Sequence, residues 1–164
     1  METMDVTAVY QVLETVKDPE IPVLSIVDMA MVSGVELKPG NEVAVRFIPT
    51  FVGCPALGFI KNNITEALLA AGFSKVEVVA DLENRWRSDL MQPEAKAKLE
   101  KFGIAPPVVI NDEELTPEQL DRVRCPHCKS TDTTLRSAFG STLCRAIRFC
   151  YNCKQGFEQF KPVQ

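Results

Sequence analysis

Histidine is nearly absent from this sequence, since His127 is the only one among its 164 residues. A hydrolase that activates a cysteine needs a base within hydrogen-bond reach, and that base is usually a histidine. His127 stands between the two cysteines of a Cys-x-x-Cys pair and is therefore enclosed in another motif. The composition argues against a Cys-His hydrolase, and we expect no enzyme activity of the chain's own.

Long apolar runs are also absent. No stretch approaches the roughly 18 consecutive apolar residues that a membrane-spanning helix requires. The first residues, Met1-Glu2-Thr3-Met4-Asp5, are acidic, whereas a secretory signal peptide begins with a basic segment. We therefore expect a cytoplasmic protein with no membrane partner.

Charge and cysteine are divided unevenly along the chain. Residues 1–121 hold 10 Lys+Arg and 20 Asp+Glu, whereas residues 122–164 hold 8 and 2, and five of the six cysteines follow position 120. A shift of this size indicates a domain boundary. We predict an α/β domain at 1–90, an arm and linker at 91–121, and a metal ribbon at 122–164.

Hydrophobic spacing in the first part predicts the order α-β-β-α-β. The predicted elements are a helix over 5–16, strands over 32–37 and 42–48, a helix over 55–71 and a strand over 76–80. This order places helices on one face of a small sheet. The predicted fold class is α+β: a two-layer α/β N-terminal domain with a C-terminal zinc-ribbon β module. A further helix from Pro93 to Phe102, capped by Gly103, is predicted in the arm.

Two cysteine pairs form the most specific motif. Cys125 and Cys128 are followed, after 21 intervening residues, by Cys150 and Cys153. The two-residue gap in each pair lets both thiolates reach one ion. The surrounding residues contain too little apolar material to fold alone, so we predict that a metal stabilises the module. A redox dithiol and plain disulfides are the alternatives, and the second matching pair disfavours both.

We predict one structural zinc per chain, because a closed thiolate set on a ribbon is the commonest structural use of that ion. Rubredoxin-like iron is the alternative. His127 is interpreted as a solvent-facing knuckle residue, not a fifth ligand, and Cys144 as a small buried hydrophobe.

The basic charge of the ribbon is compatible with nucleic acid or with an acidic protein as a partner. Its aromatic residues can be explained as the filling of a thin core, and the acidic remainder of the chain should repel phosphate. We therefore do not expect nucleic acid to be the partner.

Cys54 lies between a predicted strand and the first turn of a predicted helix, in Gly53-Cys54-Pro55-Ala56. Unsatisfied N–H groups and the positive end of the helix dipole favour a thiolate there. A cysteine packed between strand and helix explains the same position, and the residues alone leave both interpretations open. Asp18, Glu20 and Asp28 form a second polar cluster, whose members are oxygen ligands or, more ordinarily, helix caps.

These segments together resemble a known family. The domain of iron–sulfur carrier and targeting factors is similar in Asp18-Pro19-Glu20-Ile21-Pro22, Ser25-Ile26-Val27-Asp28, Pro49-Thr50 and Gly53-Cys54-Pro55-Ala56. With Gly103-Ile104-Ala105-Pro106-Pro107, the ribbon and its segment Phe139-Gly140-Ser141-Thr142-Leu143-Cys144, nearly the whole chain resembles the PaaD family. That family is associated with the phenylacetyl-CoA 1,2-epoxidase of aerobic phenylacetate degradation.

The resemblance implies an accessory factor that helps to mature metal centres of the multicomponent oxygenase. The expected client is either the reductase, with its iron–sulfur cluster, or the catalytic subunit, with its di-iron site. Cys54 occupies the position of the family's functional cysteine, which favours transient binding of iron or an iron–sulfur cluster, with Asp18, Glu20 and Asp28 as neighbours. One thiolate holds a cluster poorly, so a homodimer or the client's cysteines would complete the site. The alternative is a non-catalytic structural subunit of the complex, in which Cys54 only packs.

Overall fold

The computed structural model describes residues 5–50, 56–108, 121 and 123–161. The chain divides into two compact units, Met1–Trp86 and Arg87–Gln164. Within the described ranges, no helix is long and apolar enough to cross a bilayer.

The first unit confirms the predicted order of elements. They are α1 (Val6–Leu13), β1 (Val32–Lys38), β2 (Glu42–Phe47), α2 (Leu57–Ala70) and β3 (Lys75–Ala80). Strand β2 is central, antiparallel to β1 and parallel to β3. The parallel pairing requires a crossover between β2 and β3, and α2 supplies it while packing against β3 and α1.

The core of the first unit lies between this sheet and the helices. Ile60, Ile64 and Leu68 recur every four residues on α2 and are all buried. Alternate residues of β2 and the buried positions of α1 complete this layer. Asp5 fixes the start of α1, because its side chain accepts a hydrogen bond of 2.8 Å from the backbone N–H of Ala8.

The described residues of the second unit include a four-stranded sheet and the helix α3. Its elements are a 3₁₀ turn (Ser88–Leu90), α3 (Pro93–Phe102), β4 (Ile104–Ala105), β5 (Thr133–Ser137), β6 (Arg145–Cys150) and β7 (Gly156–Phe160). The strand order is β4-β7-β6-β5, with β4 parallel to β7. The predicted helix α3 is confirmed, and Gly103 ends it in the left-handed conformation at φ 95°.

Asp81 anchors the turn that follows β3. One carboxylate oxygen accepts backbone N–H bonds of 3.1 Å from Glu83 and Asn84, and the other accepts bonds from the side chains of Asn84 (2.8 Å) and Ser33 (2.9 Å). The hydrogen bonds from Asn84, and then that from Ser33, lower the pKa of Asp81 to about 2. Folding therefore favours the ionised form of this carboxyl.

We expect Asp81→Asn to destabilise the first unit at neutral pH and to matter less in acid. A carboxyl with a lowered pKa stabilises the fold above its ordinary value near 3.8 and loses this effect as the pH falls towards 2. Urea unfolding at pH 7 and at pH 2.5 gives the free energy of unfolding of variant and wild type. The fluorescence of Trp86, the chain's one tryptophan, follows the transition. If the difference in unfolding free energy between variant and wild type is the same at both pH values, the pKa of Asp81 is not lowered by folding.

Candidate metal centre

Two backbone turns of the same geometry present the four ribbon cysteines. In the first turn, the N–H of Cys125 donates to the carbonyl of Ser130 at 2.9 Å, and in the second that of Cys150 donates to Gln155 at 2.9 Å. The residue after each pair, Lys129 or Lys154, has a positive φ of 67° or 61°. Each turn thereby curls back so that both of its thiols face the same point.

The four thiols fit a single tetrahedral ion. The Sγ atoms of Cys125, Cys128, Cys150 and Cys153 all lie within 4.8 Å of one another. The separations are 3.8 Å from Cys125 to Cys153 and 3.5 Å from Cys128 to Cys150. A metal–sulfur bond of about 2.3 Å in tetrahedral geometry requires sulfur atoms about 3.8 Å apart, whereas a disulfide requires about 2.05 Å. The arrangement is therefore suited to a metal ion.

The thiols are also part of the hydrophobic core of this unit. Cys125 and Cys150 are fully buried and cluster with Ala105, Val123 and Phe157. Cys128 and Cys153 pack against the same cluster while remaining partly exposed. Loss of the metal would therefore leave four sulfur groups without their ion at a small core, where thiolates that lack a counter-charge are costly to bury.

The two partly exposed thiols, those of Cys128 and Cys153, differ in acidity. Asn152 donates its side-chain N–H to the Sγ of Cys128 at 3.4 Å, and this bond lowers the pKa of Cys128 to about 6. Burial raises the pKa of Cys153 to about 12. Because metal ligands are thiolates, binding must release the proton of Cys153 at neutral pH, and metal affinity rises with pH.

The other ribbon residues singled out in the sequence lie outside this cluster. His127 is exposed, and the metal-binding group formed by the described residues consists of the four cysteines. Cys144 is buried, with its Sγ 3.0 Å from the hydroxyl of Thr142.

Two of the three carboxylates predicted as neighbours of Cys54, those of Asp18 and Asp28, hold local turns. Asp18 accepts backbone N–H bonds from Glu20 at 2.8 Å and Ile21 at 3.0 Å. Asp28 accepts one from Ser25 at 3.0 Å, while the N–H of Asp28 donates to the hydroxyl of Ser25 at the same distance. This reciprocal pair resembles a capping box.

Cys54 lies outside the described residues, as do Gly53 and Pro55. The structure describes the chain up to Thr50 and again from Ala56, the N-terminal cap of α2. Ala56 provides no side-chain cap, and the first turn of α2 has no acidic residue. Among the described residues, no N-cap side chain and no acidic side chain of the first turn serves the N–H groups of this helix end.

Sequence reasoning missed a polar cluster in the loop between β5 and β6. The carboxylate of Glu158 accepts hydrogen bonds from the backbone N–H (3.2 Å) and the hydroxyl (2.8 Å) of Ser141, and Arg145 lies 3.6 Å from the same carboxylate. A Cβ at Gly140 would lie 2.6 Å from Glu158 Oε2, so a side chain there displaces the carboxylate. The Gly140-Ser141 pair signals a turn, but nothing in the sequence indicates a partner 17 residues away.

A cavity of about 500 Å³ lies beside this loop in the second unit. Its lining includes Phe102 at the end of α3, His127, Ser141 and Ile147. The volume is within the range of small-ligand pockets.

Two family models match the chain. The one described as "PaaD zinc beta ribbon domain" covers residues 111–161, and the one described as "Iron-sulfur cluster assembly protein" covers residues 7–80. A protein of Escherichia coli (strain K12) that is named as a putative 1,2-phenylacetyl-CoA epoxidase subunit is 40% identical over 94% of this chain and 92% of its own length. The Fe-S protein maturation auxiliary factor of Porphyromonas gingivalis is 30% identical over 56% of this chain and 87% of its own length.

Solved structures resemble the chain as well. A domain of unknown function, DUF59, from Bacillus anthracis has a TM-score of 0.53 and 27% identity, covering 57% of this chain and 89% of that one. A conserved hypothetical protein from Thermotoga maritima has a TM-score of 0.52 and 28% identity, covering 63% and 99%. The two structural likenesses support the α+β fold, and the Escherichia coli relative matches nearly the whole chain. The chain therefore belongs to the PaaD family, in which an iron–sulfur assembly domain is combined with a zinc ribbon.

Proposed function

We propose that this protein is an accessory factor of aerobic phenylacetate degradation that helps to mature a metal centre of a phenylacetyl-CoA epoxidase complex. One observation carries the proposal: an iron–sulfur assembly domain and a metal ribbon stand in one chain whose 40% identical relative is named as an epoxidase subunit. The clients that fit are the reductase, with its iron–sulfur cluster, and the catalytic subunit, with its di-iron site. The protein has no catalytic step of its own in this scheme.

Cys54 is the proposed carrier of iron or of an iron–sulfur cluster. Its place in the sequence is three residues before α2 begins, beside a helix end that no described side chain caps. A thiolate is stabilised at such an end by the helix dipole and by free N–H groups. Because one thiolate is a poor cluster site, a second copy of the chain or the client's own cysteines supply the other ligands.

The ribbon is proposed to hold one structural zinc through Cys125, Cys128, Cys150 and Cys153. The separations of these sulfur atoms support a tetrahedral thiolate site, the geometry that zinc adopts. We further propose that residues 91–108 of the arm brace the ribbon, because β4 pairs with β7 and Ala105 joins the cluster around the cysteines.

Anaerobic reconstitution with iron and sulfide tests the role of Cys54. We expect wild type to bind both elements and Cys54→Ser to lose most of this uptake, because its ligand is gone. Cys144→Ser is the matched control, since Cys144 is a buried cysteine outside the four-thiol cluster. Equal uptake of iron and sulfide by wild type and Cys54→Ser would rule out the carrier role of Cys54.

A structural subunit is the second candidate, favoured by the name of the Escherichia coli relative. It requires stoichiometric co-purification with the epoxidase subunits and full epoxidase activity in a Cys54→Ala strain. The carrier role requires lower activity in that strain.

A further inference from the structure

We propose that the loop 138–144 of the second unit is a docking element for an acidic protein surface, into which Phe139 and Leu143 insert. The inference deepens the proposed function, on which it rests for the existence of a client protein. It assigns the contact to the ribbon and gives the proposed cluster-transfer cysteine no part in docking.

The two apolar side chains of this loop face solvent. Phe139 is 63% exposed and Leu143 is 57% exposed. Ile147, on the adjoining strand β6, is exposed as well. Such side chains add nothing to the core of this unit, and apolar groups that cluster on a surface are typical of contacts with another protein.

The backbone of the loop is nevertheless held firmly. Ser137 uses its hydroxyl both to donate to the carbonyl of Phe139 (2.8 Å) and to accept from its N–H (3.2 Å). The N–H of Gly140 donates to the carbonyl of Arg145 at 2.7 Å, and Glu158 holds both the N–H and the hydroxyl of Ser141. A loop ordered in advance loses little conformational entropy when its exposed side chains become buried in a partner.

The positive charge at the loop favours an acidic partner. Lys161 donates from Nζ to the carbonyl of Ala138 at 2.9 Å, and the same Nζ lies 4.6 Å from the ring centroid of Phe139. Residues 122–164 carry 8 Lys+Arg against 2 Asp+Glu. The ammonium group of Lys161 beside Phe139 complements an apolar recess rimmed by acidic residues, and opposite charges speed the encounter of the two surfaces.

The cavity of about 500 Å³ beside the loop strengthens the match. Ser141 of the loop and Ile147 of β6 belong to its lining, so the loop borders a recess. A protein partner can fill this recess with an apolar side chain of its own while it receives Phe139. Single-stranded nucleic acid binds to free aromatic ring faces, whereas one face of Phe139 already carries the ammonium group of Lys161.

Binding of the full-length chain to individually purified subunits of a phenylacetyl-CoA epoxidase, measured by isothermal titration calorimetry, tests the proposal. We expect the double variant Phe139→Ser, Leu143→Ser to bind one subunit about tenfold more weakly or worse, the scale of losing an apolar anchor. Ser141→Ala, which keeps both apolar side chains but loosens the loop, should weaken binding in the same direction. Added salt should weaken binding of wild type.

Leu82→Ser is the matched control, because Leu82 is 74% exposed and lies in the first unit. It should bind like wild type, and so should Cys54→Ser, which separates docking from cluster transfer. Unchanged affinity of the double variant with its metal content intact overturns the docking proposal and leaves the carrier role standing. Failure of wild type to bind any subunit overturns it too, as does a loop-dependent affinity for single-stranded DNA or a loop-dependent self-association.

Discussion

Removal of the metal from the four ribbon cysteines unfolds the second unit and leaves the first unit folded. Cys125 and Cys150 are fully buried in the same cluster as Ala105, Val123 and Phe157, so the site lies inside the core that it stabilises. A structural zinc contributes about 10–16 kcal/mol in zinc-finger peptides, which equals or exceeds the roughly 5–15 kcal/mol that stabilises a whole domain. Cys150→Ser should have the same effect as chelation.

Amide resonance dispersion before and after chelation measures this loss in the second unit. Trp86 reports on the first unit, where it is buried and donates from Nε1 to the carbonyl of Met29 at 2.6 Å. Its fluorescence should therefore not change on chelation. Cys144→Ser controls for the loss of a buried thiol outside the cluster, and a metal-free second unit that keeps its dispersed resonances would refute the prediction.

Ile64→Ala destabilises the first unit by about 2–5 kcal/mol, the usual loss for a large-to-small change in a core. Ile64 is completely buried on α2, between Ile60 and Leu68 on the same face. The truncation removes apolar contacts and leaves a cavity that the sheet and helices fill only in part. Urea unfolding followed by Trp86 fluorescence gives the change in free energy.

Leu69→Ala is the control on the same helix, because Leu69 is 47% exposed. We expect a change within about 0.5 kcal/mol, as for most surface substitutions. The metal content should be the same in both variants, since the four cysteines lie in the other unit. Equal losses for Ile64→Ala and Leu69→Ala would show that the assigned core is wrong.

Local patterns predicted much of this structure. Helix α3 begins and ends where its proline and glycine indicate, and the two Cys-x-x-Cys pairs meet at one point because each is a self-contained turn. Helix α1 is shorter than its hydrophobic spacing predicts, ending at Leu13 instead of Val16. Val16 is buried all the same, because its carbonyl accepts a hydrogen bond from the N–H of Ile26 in the returning loop. An apolar residue that is buried just after the helix therefore extends the apolar spacing of the sequence beyond the true end of α1.

The features that the sequence did not reveal depend on residues far apart in the chain. Strand β4 has two residues, too few for a periodic signal, and exists because Ile104 pairs with Glu158. Asp81 accepts a hydrogen bond from the hydroxyl of Ser33, 48 positions earlier in the chain. Glu158 on β7 accepts one from the hydroxyl of Ser141 in the loop before β6. Such pairs are set by the tertiary fold, which no local spacing encodes.

We propose two kinds of metal chemistry in one chain: a permanent ion at the ribbon and a transient cargo at Cys54. Elemental analysis after strictly anaerobic isolation tests both at once in wild type, Cys54→Ser and Cys144→Ser. We expect one zinc per chain in all three proteins, with iron in wild type and Cys144→Ser but not in Cys54→Ser. If Cys54→Ser binds as much iron as wild type, or if the ribbon holds iron in place of zinc, this assignment of the two sites is wrong.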